Sequence, residues 1–315
     1  MVYGIVAAAL LCLTVKGYCG KKISSYMRDT GDSFAFNLFR MVLCILIGAV
    51  FVFAEGAVGF LAIEWGMLAV CFLSGLANAA FLVGWILAIR KNSMVSVDVG
   101  LTLGSLLPAV LCAFMFGEAI SLPKMIGFAL ILAATVILAG HAPRAKRSGA
   151  VGLILLAFAA LGDGMTGFAQ QLYKQYYTEA GSAHHGMFYP KTVYHFYTYV
   201  FAALMLFIAL IFYRIYMRRK VSETKEARPS VFAMPWHVML HIFVMAICLF
   251  GANYLQTVAT NDFGMPSQVL YPIIKGGCLI TVNITAMLFF GERITKRSAL
   301  GSLVALIGIV CMNLL

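Results

Sequence analysis

Residues 264–313 read GMPSQVLYPIIKGGCLITVNITAMLFFGERITKRSALGSLVALIGIVCMN. A Met265-Pro266-Ser267 opening leads into a long apolar run interrupted only by Lys275 and the pair Gly276-Gly277. A short polar turn, Gly291-Glu292-Arg293-Ile294-Thr295, ends that run, and a second apolar run carrying Gly301 and Gly308 follows. The pattern predicts a helix, a charged turn and a helix.

The same arrangement occurs once before. At a displacement of 291 − 117 = 174 positions, Phe116, Gly117, Glu118 and Ile120 fall on Phe290, Gly291, Glu292 and Ile294. Beyond the turn, Gly127, Leu132 and Val136 fall on Gly301, Leu306 and Val310. Apolar helices share a small alphabet and coincide by chance, but identity through a polar turn, with the spacing to the next glycine kept, argues for an internal repeat. Residues 1–141 then form a first unit, the basic stretch 142–149 with Pro143 a linker, and 150–315 a second unit.

A chain that is 62% hydrophobic and 11% charged, with a mean hydropathy of +0.93, has too little polar surface for a soluble globule. A bilayer core takes about 20 apolar residues per helix. Ten such segments can be marked, at about 2–20, 33–54, 65–89, 94–116, 122–140, 150–172, 192–214, 236–258, 265–290 and 297–315. The first has no basic residue ahead of its apolar run and holds Lys16 within it, so it reads as a retained helix and not a cleaved leader. The expected fold is therefore an all-α integral membrane protein of ten transmembrane helices in two five-helix repeats.

The net charge of +11 is not a nucleic-acid signal, because the basic residues gather in alternate connections. Lys21, Lys22 and Arg28, then Arg90 and Lys91, then Arg144, Lys146 and Arg147 lie in odd-numbered ones. The cluster 214–228 and Arg293, Lys296 and Arg297 continue the pattern, while even connections hold only Lys124, Lys174 and Lys191. The positive-inside rule places the odd connections in the cytoplasm and both termini outside, at the plasma membrane. An odd number of spans per unit inverts the second unit relative to the first. The eight cysteines lie in apolar segments without a Cys-x-x-Cys pair, so neither a disulfide framework nor a metal site is expected, and no cofactor is. His184-His185, in an outside loop, has no ligand spacing around it and reads as plain loop.

The candidate site is built from polar residues inside the apolar runs. Segment 3 has Asn78 and Trp85 on one face, and segment 4 has Asp98, Thr102 and Ser105 at helical spacing before Pro108, which is expected to kink it. Segment 6 carries a stripe of Asp163, Thr166, Gln170 and Lys174, with Gly162, Gly164 and Gly167 loosening the backbone beside it. Segment 8 brings His241, Asn253 and Gln256, and segment 9 Tyr271 and Lys275. A charge in the bilayer core costs about 2.5–3.5 kcal/mol, so each should face a partner or a wet cavity. At about 1.5 Å per residue, Asp163 and Lys275 fall at one depth, and Lys16 and Asp98 at a second, nearer the cytoplasm and Arg40. Two pairs are expected: Asp163 with Lys275, and Lys16 with Asp98. Each pair is either a register-fixing salt bridge or part of a central substrate site with Tyr271, Asn78, Trp85, Gln170, Asn253 and Gln256. Gly276-Gly277 suits either a bending helix or tight packing. Glu118 and Glu292 suit helix caps.

With its repeated Phe-Gly-Glu turns at 116–118 and 290–292, followed by Gly127 and Gly301, the chain resembles the drug/metabolite transporter superfamily, and within it the EamA-like ten-helix proteins. The run from Tyr271 to Leu315 is similar to the last two helices of small multidrug resistance proteins. The resemblance implies a secondary transporter working by alternating access, with a small-molecule substrate, lipid surroundings and a coupling ion, the proton being the candidate. It departs from the multidrug pattern in having Lys16, and no Glu, in the first segment. It matches sugar-phosphate and nucleotide-sugar branches in having a Lys in segment 9. Together these point to an anionic or zwitterionic metabolite such as an amino acid. The alternatives are a lipid-carrier flippase and a polytopic membrane enzyme, the latter lacking a recognisable nucleophile, metal or nucleotide motif.

Overall fold

The computed structural model describes residues 1–27, 29–91, 94–104, 106–117, 121–139, 150–178, 188–220, 235–291 and 296–313. The Glu118 and Glu292 turns, Ser105, the linker, His184-His185 and the basic stretch 221–228 lie outside these residues. All regular structure among the described residues is helical. In order the helices are α1 (Val2–Ser24), α2 (Thr30–Ala54), α3 (Trp65–Lys91), α4 (Met94–Gly104), α5 (Leu106–Phe116) and α6 (Leu122–Ala139). They continue with α7 (Ala150–Tyr177), α8 (Lys191–Lys220), α9 (Trp236–Asn261), α10 (Ser267–Phe290) and α11 (Lys296–Asn313). A short 3-10 turn, Ala57–Leu61, links α2 to α3.

Among the described residues six of these, α1, α2, α3, α8, α9 and α10, are long and apolar enough to cross a bilayer, and the chain is a multi-pass membrane protein. At 28 residues α7 is also long enough, and it carries the polar stripe that begins at Asp163. The outward faces agree with lipid surroundings: Phe53, Phe114, Val136, Phe212 and Leu288 are all exposed. Such large apolar side chains presented to the outside have their natural neighbours in hydrocarbon.

Local chemistry sets the helix ends. The Asp29 side chain caps α2 by accepting from the Asp32 N–H at 2.9 Å. Pro235 and Pro266 stand at the N-caps of α9 and α10. Gly117 and Gly291, paired by the 174-residue displacement, both adopt φ of 65°, the left-handed geometry that ends a helix and that a side chain disfavours.

The helices pack in a specific set of pairs. The most extensive contacts are α3 on α7, α1 on α9, α2 on α8 and α6 on α11. Around them α3 touches α8, α2 touches α9, α10 touches α1 and α11, and α4 touches α6 and α7. Small residues let these axes close up: a Cβ on Gly164 would stand 2.5 Å from the Gly104 carbonyl of α4. The glycines of α7, expected to loosen its backbone, are thus contact points. Gly276 and Gly277 behave likewise, set against Ile309 of α11 and Leu10 of α1. Of the two readings left open for that pair, tight packing is the one observed. The main core gathers Met41, Cys44, Trp85, Ile86, Tyr199 and Met245 from α2, α3, α8 and α9.

Candidate functional site

The polar residues converge where α1, α3, α5, α7, α9 and α10 meet. The cavity there has about 40 Å³ open to water centres. At roughly 10–15 Å³ per water, that is room for a few waters or a ligand group of similar size. Lys16 of α1 and Asn78 and Phe81 of α3 line one side, with Pro108 of α5. Asp163, Thr166 and Gln170 of α7 line another, and Asn253, Gln256, Tyr271 and Lys275 of α9 and α10 complete it.

The expected pair of α7 and α10 is present, with Lys275 Nζ 2.5 Å from Asp163 Oδ2. Both side chains are largely withdrawn from solvent, at 14% and 16% exposed, so the contact is a partly buried ion pair facing the cavity. One helical turn before Lys275, the Tyr271 hydroxyl donates to the Gly167 carbonyl at 2.8 Å and lies 3.0 Å from Gln170 Oε1. Gln171 Nε2 donates to that hydroxyl at 3.4 Å. Asn253 Nδ2 donates to the Tyr199 hydroxyl at 3.1 Å, tying α9 to α8. Gln256 Nε2 turns back to its own helix, 3.2 Å from the Ala252 carbonyl.

The second expected pair is not formed. Lys16 makes no ion pair or hydrogen bond among the described residues; its Nζ lies over the Phe81 and Trp85 rings, 4.9 and 5.2 Å from their centroids. Asp98, half-buried on α4, also forms no ion pair among the described residues, though it feels the fields of Lys275 and Lys16. Lys16 also shares the cavity with Asp163 and Lys275 and does not form a separate level. Similar depth does not fix lateral neighbours, and the Lys16 side chain meets α3 in place of α4. Trp85 and Asp98 do not line the cavity: Trp85 stands between Lys16 and Arg40, its ring 5.9 Å from the Arg40 guanidinium carbon. His241 is half-buried, and its Nδ1 donates to the His237 carbonyl of its own helix at 2.6 Å, away from the site.

Phe81 was not marked as a site residue from sequence. It lies three residues after Asn78 and four before Trp85, on the face those two already defined, so helical spacing carried the signal. Arg40 is 1% exposed, and its Nη2 is bonded to Asn37 Oδ1 at 2.6 Å; among the described residues Nε and Nη1 have no partner. Asn78 is 1% exposed, and both its amide atoms are unpartnered among the described residues.

No family model and no curated protein matches the chain. Solved structures do. One, described only as "Crystal structure of protein", aligns over 98% of this chain and 96% of its own at a TM-score of 0.67 and 15% identity. That likeness is one of fold alone.

Proposed function

We propose that the chain is a secondary transporter of the drug/metabolite transporter type, with ten spans in two inverted repeats, moving a small polar or charged metabolite by alternating access. The observation that carries the reading is the exchange pattern of the helices. Let α1, α2, α3, α4 with α5, and α6 correspond to α7, α8, α9, α10 and α11. The contact of α3 with α7 then becomes that of α9 with α1, and α3 with α8 becomes α9 with α2. The pairs α2 with α8 and α6 with α11 map onto themselves. The cavity obeys the same exchange, taking α1, α3 and α5 from one unit and α7, α9 and α10 from the other. A site at the interface of inverted repeats is where rocking of one unit against the other gives access from alternate sides. The small cavity suits an occluded stage of such a cycle. The basic connections supply the orientation, with termini outside and the plasma membrane as location.

The test is flux. Purified protein in proteoliposomes should exchange a labelled metabolite across the membrane, and Lys275→Ala should abolish the exchange. Chemical turnover of a compound in detergent, with no vesicle present, would replace the transport reading with an enzymatic one.

A further inference from the structure

The cavity's cations are unequally matched. Lys275 has its carboxylate in Asp163. Among the described residues Lys16 has only aromatic faces, and Arg40, behind Trp85, has two nitrogens without a partner. Among the described residues Asp98 is a further carboxylate near Lys16 and Lys275, and it pairs with neither. Three cations (Lys16, Arg40, Lys275) against two carboxylates (Asp98, Asp163) leave a surplus of one positive charge. Beside it, Asn78 holds an unmet donor and an unmet acceptor, fully buried on the cavity wall. Buried amides in folded proteins find partners for both atoms, so two orphans on one side chain that faces a cavity mark the position of a missing one.

Resting on the transport reading above, we propose that the Lys16–Asn78 side of the cavity, and not Lys275, is the anion-binding end, and that the substrate is a small organic acid with a hydrogen-bond donor next to its carboxylate. The carboxylate takes the Lys16 ammonium and the Asn78 N–H; the neighbouring donor takes Asn78 Oδ1. Arg40 stands behind the Trp85 ring as a fixed positive charge that lowers the energy of the anion. The size of the cavity agrees, since room for about three waters, each taking roughly 30 Å³ as liquid, matches an acid of about six heavy atoms. Lys275, already neutralised, holds α7 to α10.

The probes are lactate, its uncharged analogue lactamide, acetate, chloride and inorganic phosphate, with binding read as the thermal shift of the purified protein and as emission from Trp85. The other two tryptophans, Trp65 and Trp236, are exposed and replaceable by Phe. Lactate is expected to bind, acetate more weakly, and lactamide not at all. Lys16→Gln should weaken lactate by about tenfold or more, as expected for loss of a charged hydrogen bond. Asn78→Asp keeps every cation and supplies the carboxylate from the protein, so it should hold or raise the melting temperature while abolishing the response to lactate. Equal responses to lactate and lactamide, a response to chloride or phosphate alone, no response to any probe, or a lactate response that survives in Asn78→Asp would each overturn the assignment. Lactate binding without flux in proteoliposomes would remove the transport reading and leave the subsite. Flux of a neutral compound, with no carboxylate response, would do the reverse.

Discussion

Tyr271 of α10 reaches the backbone of Gly167 on α7, its hydroxyl 2.8 Å from the carbonyl oxygen, because residue 167 has no side chain. A Cβ built there would stand 3.1 Å from the Tyr271 ring, and one on Gly164 would stand 2.5 Å from the Gly104 carbonyl. The first neighbour is a side chain that can yield by a few tenths of an ångström; the second is backbone that cannot.

Gly167→Ala is therefore expected to weaken one hydrogen bond, at about 1 kcal/mol. Gly164→Ala should force α4 and α7 apart, at about 1–3 kcal/mol as for overpacking generally. Thermal unfolding in detergent should rank them in that order. Equal costs would mean that α4 and α7 are not in backbone contact.

Breaking the ion pair should be expensive in a particular way. Asp163→Asn or Lys275→Met alone leaves one partly buried charge without its partner, at about 3 kcal/mol, the lower end of the range for buried pairs because the cavity has room for water. The double replacement, Asp163→Asn with Lys275→Met, should recover most of that loss. A double-mutant cycle in detergent measures it, and additive single effects would show that the two groups are not coupled.

The pair was legible in the sequence because Asp163 lies 163 − 150 = 13 residues after the start of α7 and Lys275 lies 290 − 275 = 15 before the end of α10, so counting from one side gives nearly the same depth. Lys16 was not, because depth alone does not say which neighbouring helix a side chain meets. Its neighbours turned out to be aromatic rings, which carry no complementary charge to search for. Phe81 was missed for the same reason, being one apolar residue among many. The helix-ending role of Gly117 and Gly291 was readable from their repeated setting, whereas the contacts of Gly164 depend on which helix lies opposite, and no local pattern encodes that.

Arg40 combines near-complete burial with two unpartnered donors. Replacing a buried ion by an apolar group of similar length is often neutral or stabilising. Arg40→Met is thus expected to change folding stability by less than about 1 kcal/mol, or to raise it, in the unliganded protein. A loss above about 3 kcal/mol, the size seen when a buried pair is broken, would reveal a charged partner for Arg40.

Orientation can be read by labelling. A single cysteine at position 225, in a background cleared of the eight native cysteines, should resist a membrane-impermeant thiol reagent in intact cells and react after permeabilisation. Reaction in intact cells would invert the proposed topology.

The most extensive helix contacts, α3 with α7, α1 with α9, α2 with α8 and α6 with α11, all join residues before the 142–149 linker to residues after it. The first part of the chain therefore leaves the ribosome without the surfaces it is shaped to meet. At about 5–20 residues per second, synthesis from residue 150 to 315 takes roughly 8–33 s. Until α7 and α9 follow, Lys16, Asn78 and Arg40 wait in the bilayer without the helices that α1, α2 and α3 pack against. The insertion machinery, or a lipid headgroup drawn inward, has to shield these residues until the second part arrives. A ribosome stalled before residue 150 would strand a half-protein whose polar faces mark it for proteolysis.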